Sequence, residues 1–125
     1  MSDHKAINGV VIRGLGNGKS QAFATVNLDP QLWPTNFAKG VYAAWVLVAG
    51  KKYKGALFFG PRKVLQEEQD VLEIHLLDFR EDIYEQEISF SIEKFIRGVE
   101  DFSSFEDLKN RIASDISAVE KSLSY

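Results

Sequence analysis

The chain has no cysteine and only 3 prolines in 125 residues. Without thiols there is neither a disulfide framework nor a thiolate metal site. A basic stripe is missing as well: 15 Lys and Arg stand against 18 Asp and Glu, a net charge of -3, which disfavours nucleic acid and anionic membrane surfaces as partners. The longest apolar run, Gly40 to Gly50 (GVYAAWVLVAG), is about half of what a bilayer-spanning helix needs, so no membrane span is expected. The polar start Met1-Ser2-Asp3-His4-Lys5 offers no secretory apolar segment, and the expectation is a cytoplasmic, monomeric protein. With 45% hydrophobic residues, one domain over 1–125 fits, opening on a tail of residues 1–6. No internal repeat, low-complexity tract or linker interrupts it.

One more absence concerns the stretch GLGNGKSQAFATVNLD, Gly14 to Asp29, which contains the Gly-Lys-Ser ending of a Walker loop. Gly14 is one residue too close to Gly18-Lys19 for that motif, and the segment after it alternates like a strand instead of opening a helix. Gly14, Gly16 and Gly18 with Lys19 fit either a plain β-connection or a nest of backbone N–H groups around phosphate.

What is present is strand after strand. Ile7 to Arg13, Ala22 to Leu28, Val41 to Ala49, Tyr53 to Phe59, Val71 to Phe79 and Glu87 to Ile96 are short β-rich runs between Gly, Pro, Asn or charged clusters. Ala49-Gly50-Lys51-Lys52 reads as a tight hairpin turn, while Asp29 to Lys39 and Pro61 to Asp70 read as longer, lid-like loops. From Phe105 the period changes: Leu108, Ile112, Ile116, Val119 and Leu123 recur every three or four residues, with Ser103 and Glu106 as a capping box before them. The pattern predicts a mainly β fold, a six-stranded antiparallel barrel closed by a C-terminal α-helix over about 104–123.

Few residues are equipped for chemistry. Thr25 and Asn27 are two apart on a strand, so a hydroxyl and an amide oxygen project from one face, and such hard-oxygen ligands suit Mg²⁺ bound chiefly through substrate phosphates. Spacing alone favours a solvated strand face. In VLEIHLLDF, Glu73 and His75 share a face with Val71, Leu77 and Phe79; a carboxylate among apolar neighbours is suited to general-base work, though a strand Glu at a barrel rim fits the pattern as well. His4 lies far away in the tail, so nothing supports a histidine-based metal site.

The order of these pieces resembles the riboflavin kinase family from Ile7 to Leu123. Its glycine-rich turn is similar to Gly14-Leu15-Gly16-Asn17-Gly18, its Pro-Thr-Ala-Asn signature falls on Ala24-Thr25-Val26-Asn27, and its Gly-Val-Tyr strand start is Gly40-Val41-Tyr42. The Leu-Glu-Val-His-Leu-Leu-Asp-Phe strand is matched by Leu72 to Phe79, followed by Asp82-Ile83-Tyr84, Phe95-Ile96-Arg97, Phe102 and the helix. The resemblance implies Greek-key connections and transfer of the γ-phosphoryl of ATP to the 5′-hydroxyl of riboflavin, giving FMN and ADP. It implies Thr25 and Asn27 as holders of magnesium and phosphates, and Gly14, Gly16, Gly18 and Lys19 around the nucleotide. Glu73 becomes the base toward the ribityl hydroxyl, and Arg97, Glu100 and Phe102 line the flavin. An FMN adenylyltransferase domain, which many bacterial relatives carry in front, is not in this sequence, so the reaction is expected to stop at FMN. The sequence departs from the family where Ala24 replaces proline, where Glu85 follows Tyr84 in place of glycine, and where Gly98 follows Arg97 in place of proline. A barrel of another class, binding flavin or nucleotide without catalysis, is the rival reading, and a purely structural barrel is a third.

Overall fold

The computed structural model describes residues 5–13, 24–64 and 67–124. Six strands and one helix follow in order: β1 (Ile7–Val10), β2 (Ala24–Leu28), β3 (Gly40–Val48), β4 (Lys51–Val64), β5 (Glu67–Leu76), β6 (Glu87–Arg97) and α1 (Phe105–Ser122). All pair antiparallel in the order β1-β6-β3-β4-β5-β2. Strands β3, β4 and β5 form a meander, and β6 returns to lie beside β3, the Greek-key arrangement. The sheet curls until the chain beyond β1 meets β2, where the Ile12 N–H donates to the Asn27 carbonyl at 2.8 Å.

Strand alternation accounts for the core. Val26 and Leu28 of β2, Tyr42, Ala44, Val46 and Val48 of β3, and Leu72, Ile74 and Leu76 of β5 all point inward and are buried together. The apolar run of β3 does not alternate with polar residues, because its outer face is covered too. There Ala43 and Ala56 lie against Val119 and Leu123 of the helix end, and their small side chains let the helix approach. Val41, Phe58 and Val71 continue this outer cluster. The Asp29 to Lys39 connection carries a single 3₁₀ turn at Pro30–Leu32 and inserts Trp33 into the core, stacked on Phe59 at 4.9 Å. Tyr42, in ring contact with Trp33, donates its hydroxyl to the Ala38 carbonyl at 2.7 Å, and burial pushes the phenol above its usual range.

Four local expectations are corrected. Pro61 to Val64 and Glu67 to Asp70 are not loop: β4 and β5 stay paired there, with Arg62 opposite Gln69 and Lys63 opposite Glu68. This ribbon lacks the apolar alternation that marks a strand in sequence, yet complementary residues stand at facing register positions. The helix cap is Ser104, whose Oγ accepts from the Asp107 N–H at 3.1 Å, while Ser103 donates instead to the Asp107 carboxylate. The first strand stops at Val10, three residues before the expected end. Strand β5 ends at Leu76, and Asp78 at φ 60° turns the chain so that Phe79 enters the core against Tyr53 and not the outer face. The expected hairpin at Ala49-Gly50 is present, with φ of 49° and 83° as a two-residue primed turn requires.

Candidate active site

Strands β2 and β5 position the site. Their register sets Thr25 directly opposite His75 and Asn27 directly opposite Glu73, so the four side chains occupy one patch of the outer face while Val26, Leu72, Ile74 and Leu76 hold the inner one. The two pairs noted separately along the chain thus meet as a quartet. Thr25 Oγ1 lies 2.9 Å from His75 Nδ1. His75 is buried, whereas Thr25, Asn27 and Glu73 are half-buried and reachable by a ligand. A hydroxyl, an amide and a carboxylate side by side are hard oxygen donors of low total charge. That donor set fits a divalent cation which brings phosphate ligands of its own. Among the described residues no group of three His, Asp or Glu is placed to hold a metal ion.

Next to this patch, between the sheet and α1, runs a cleft lined by His75, Ala56, Phe58, Arg97, Glu100 and Phe102, with Leu108, Ile112 and Asp115 on the helix side. Register shifts in the β3–β6 ladder, between Val41 and Tyr42 and between Ala43 and Ala44, displace the side-chain alternation of β6. Phe95 consequently meets Tyr42, and Arg97 turns toward the helix. Gly40 belongs to this corner: a Cβ there would stand 2.3 Å from the Arg97 carbonyl oxygen. The Arg97 guanidinium forks onto Asp115, Nε to Oδ1 and a terminal nitrogen to Oδ2, both at 2.8 Å, and lies 5.8 Å from the Phe102 ring centre. Glu100 accepts from Arg111 at 3.1 Å.

A second cleft opens beside the Ile12–Asn27 bridge, lined by Ile12, Arg13, Asn27, Pro30, Gln69, Asp70 and Leu72 among others. Arg13 stacks over the Tyr84 ring at 4.1 Å. Asn27 therefore borders one cleft and His75 the other. The glycine-rich segment with Gly14, Gly16, Gly18 and Lys19 lies outside the described residues.

Of the residues singled out in the sequence, Thr25, Asn27 and Glu73 come together, and Arg97, Glu100 and Phe102 come together in the adjoining cleft. Two neighbours escaped sequence reasoning. Asp115 was missed although an acid falls on the apolar stripe of the helix, between Ile112 and Val119, which is the signal of a buried partner. The contact of His75 with Thr25 depends on a register that no local pattern discloses. One departure from the family pattern has a visible consequence: Glu85, in the position of a glycine, adopts φ 72°.

A six-stranded antiparallel Greek-key barrel, with three oxygen donors and a buried histidine on one patch of its outer face beside a C-terminal helix, is the class that fold and site define. The family model described as riboflavin kinase matches residues 1–123, and the chain belongs to that family. It is 37% identical over 111 residues to the bifunctional riboflavin kinase/FMN adenylyltransferase of Escherichia coli, covering 88% of this chain and 35% of that protein. It is 36% identical over 111 residues to the trifunctional protein RibF/MnmA of Mycoplasmoides gallisepticum, covering 87% and 17%. The chain thus spans about a third or less of these curated relatives. Among solved structures, a macrolide-efflux protein from Streptococcus pneumoniae superposes with a TM-score of 0.76 at 25% identity, covering 92% of this chain and 38% of that one. The riboflavin kinase of Trypanosoma brucei superposes with a TM-score of 0.64 at 21% identity, covering 94% and 78%, a likeness of fold.

Proposed function

We propose that this chain is a riboflavin kinase, transferring the γ-phosphoryl of ATP to the 5′-hydroxyl of riboflavin to give FMN and ADP. The observation that carries the reading is the shared face of Thr25, Asn27 and Glu73, set by the β2–β5 register. Family membership and the kinase named in the E. coli relative support it. Phosphoryl transfer asks for positioning, neutralised charge and one group to take the acceptor proton. In this reading the Glu73 carboxylate takes the proton of the 5′-hydroxyl as its oxygen attacks the γ-phosphorus and the bond to the bridging oxygen of ADP breaks. Thr25 and Asn27 orient the phosphates, and Mg²⁺, when bound, neutralises their charge. The isoalloxazine lies against Arg97, Glu100 and Phe102, and Gly14, Gly16, Gly18 and Lys19 are assigned to nucleotide binding. In this reading the enzyme works as a monomer in the cytoplasm.

The test is direct. Purified protein with riboflavin and MgATP should accumulate FMN, resolved from riboflavin by chromatography. Flavin binding without FMN, with ATP and with each other nucleotide and divalent metal tried, would replace the kinase by a binding barrel.

A further inference from the structure

A threonine hydroxyl has one proton and two acceptor positions, and a strand restricts χ1 but leaves that proton free to rotate. For Thr25 to offer its oxygen to a cation, something must hold the proton away from it. His75 is placed to do so. It faces Thr25 directly across the ladder, its Nδ1 is 2.9 Å from Oγ1, and it is only 8% exposed. Burial between β2 and the cleft wall of Ala56 and Phe58 keeps the ring from following solvent, so the acceptor is fixed in space.

We propose that His75 is a positioning residue: neutral, with its proton on Nε2, it accepts the Thr25 hydroxyl proton at Nδ1 and thereby aims an oxygen lone pair of Thr25 at the metal-nucleotide. This rests on the reading of Thr25 as an oxygen ligand. The opposite tautomer would donate from Nδ1 and occupy one of the lone pairs the cation needs. An imidazole that orients a ligand oxygen acts like other outer partners of metal sites, whose loss typically weakens metal binding about 10-fold to 100-fold.

Two measurements decide it. Long-range ¹H–¹⁵N correlation spectra of the wild-type imidazoles, assigned with His75→Asn, should show His75 with an unprotonated Nδ1 and a protonated Nε2. Binding of Mn²⁺ to the protein–ADP complex, followed by electron paramagnetic resonance, should weaken about 10-fold in His75→Leu. It should stay near wild type in His75→Asn, whose amide oxygen reaches roughly the place of Nδ1, and riboflavin affinity should change little in either. A wild-type His75 protonated on Nδ1, or an equal loss of Mn²⁺ affinity in the Leu and Asn variants, would overturn the assignment, as would a parallel loss of riboflavin affinity. If His75→Leu does not fold, the wild-type tautomer decides alone. If the wild type makes no FMN yet shows this tautomer and metal pattern, the kinase reading falls and the role of His75 stands.

Discussion

Asn27 and Glu73 face each other across the β2–β5 ladder, so an amide oxygen and a carboxylate share one half-buried spot on the barrel wall. Directly opposed strand residues hold their β-carbons about 5 Å apart, close enough for both to address one phosphoryl group and its acceptor. Their roles are separable by substitution.

Glu73→Gln keeps the size and removes the proposed base. We expect kcat to fall by roughly 10²-fold or more, with riboflavin affinity little changed. Near-normal turnover in steady-state assays would remove Glu73 from the chemistry.

Under the proposed function, Asn27→Ala removes an oxygen beside the transferring phosphate, where charge is neutralised in the transition state. It should lower kcat and also raise the Mg²⁺ concentration needed for half-maximal rate. An unchanged kcat with unchanged metal dependence would show that β2 holds neither metal nor phosphate.

Arg97 and Asp115 test the wall of the cleft beside the helix, where the proposed function places the flavin. Their side chains are only 10% and 7% exposed and form a two-point fork, so truncating one partner strands the other. Asp115→Ala should cost about 3 kcal/mol in urea unfolding and raise the KM for riboflavin more than it lowers kcat. A loss below about 0.5 kcal/mol, the scale of an exposed pair, would show that the fork does not anchor the helix.

Glu85 occupies a left-handed conformation, at φ 72°, which costs a side-chain-bearing residue about 1–2 kcal/mol. Replacing it with glycine relieves that strain against some gain in unfolded-chain entropy. Glu85→Gly should therefore stabilise the fold by about 0.5–1 kcal/mol, while Glu85→Ala should not. Equal stabilities for the two variants would place the origin of the effect elsewhere.

Much of this was legible along the chain because the relevant rules are local. Two-residue periodicity put Thr25 with Asn27 and Glu73 with His75, and the helix stripe from Leu108 to Leu123 announced α1. What stayed hidden was set by pairing between distant segments. The Thr25 and His75 contact joins residues 50 apart, and the Arg97 and Asp115 fork depends on register shifts in β6. The polar ribbon of Pro61 to Val64 and Glu67 to Asp70 was misread because its pairing is cross-strand and leaves no apolar period. The cap moved from Ser103 to Ser104 because adjacent serines offer the same hydroxyl, and only backbone geometry selects between them.

The most direct test of the account is phosphoryl transfer measured from both sides. Wild-type protein with riboflavin, Mg²⁺ and ATP labelled at the γ-phosphate should form labelled FMN over many turnovers, with ADP and FMN appearing in equal amounts. Binding of riboflavin with no label transferred to it, or ADP formed without FMN, would contradict the assignment of this chain as a riboflavin kinase.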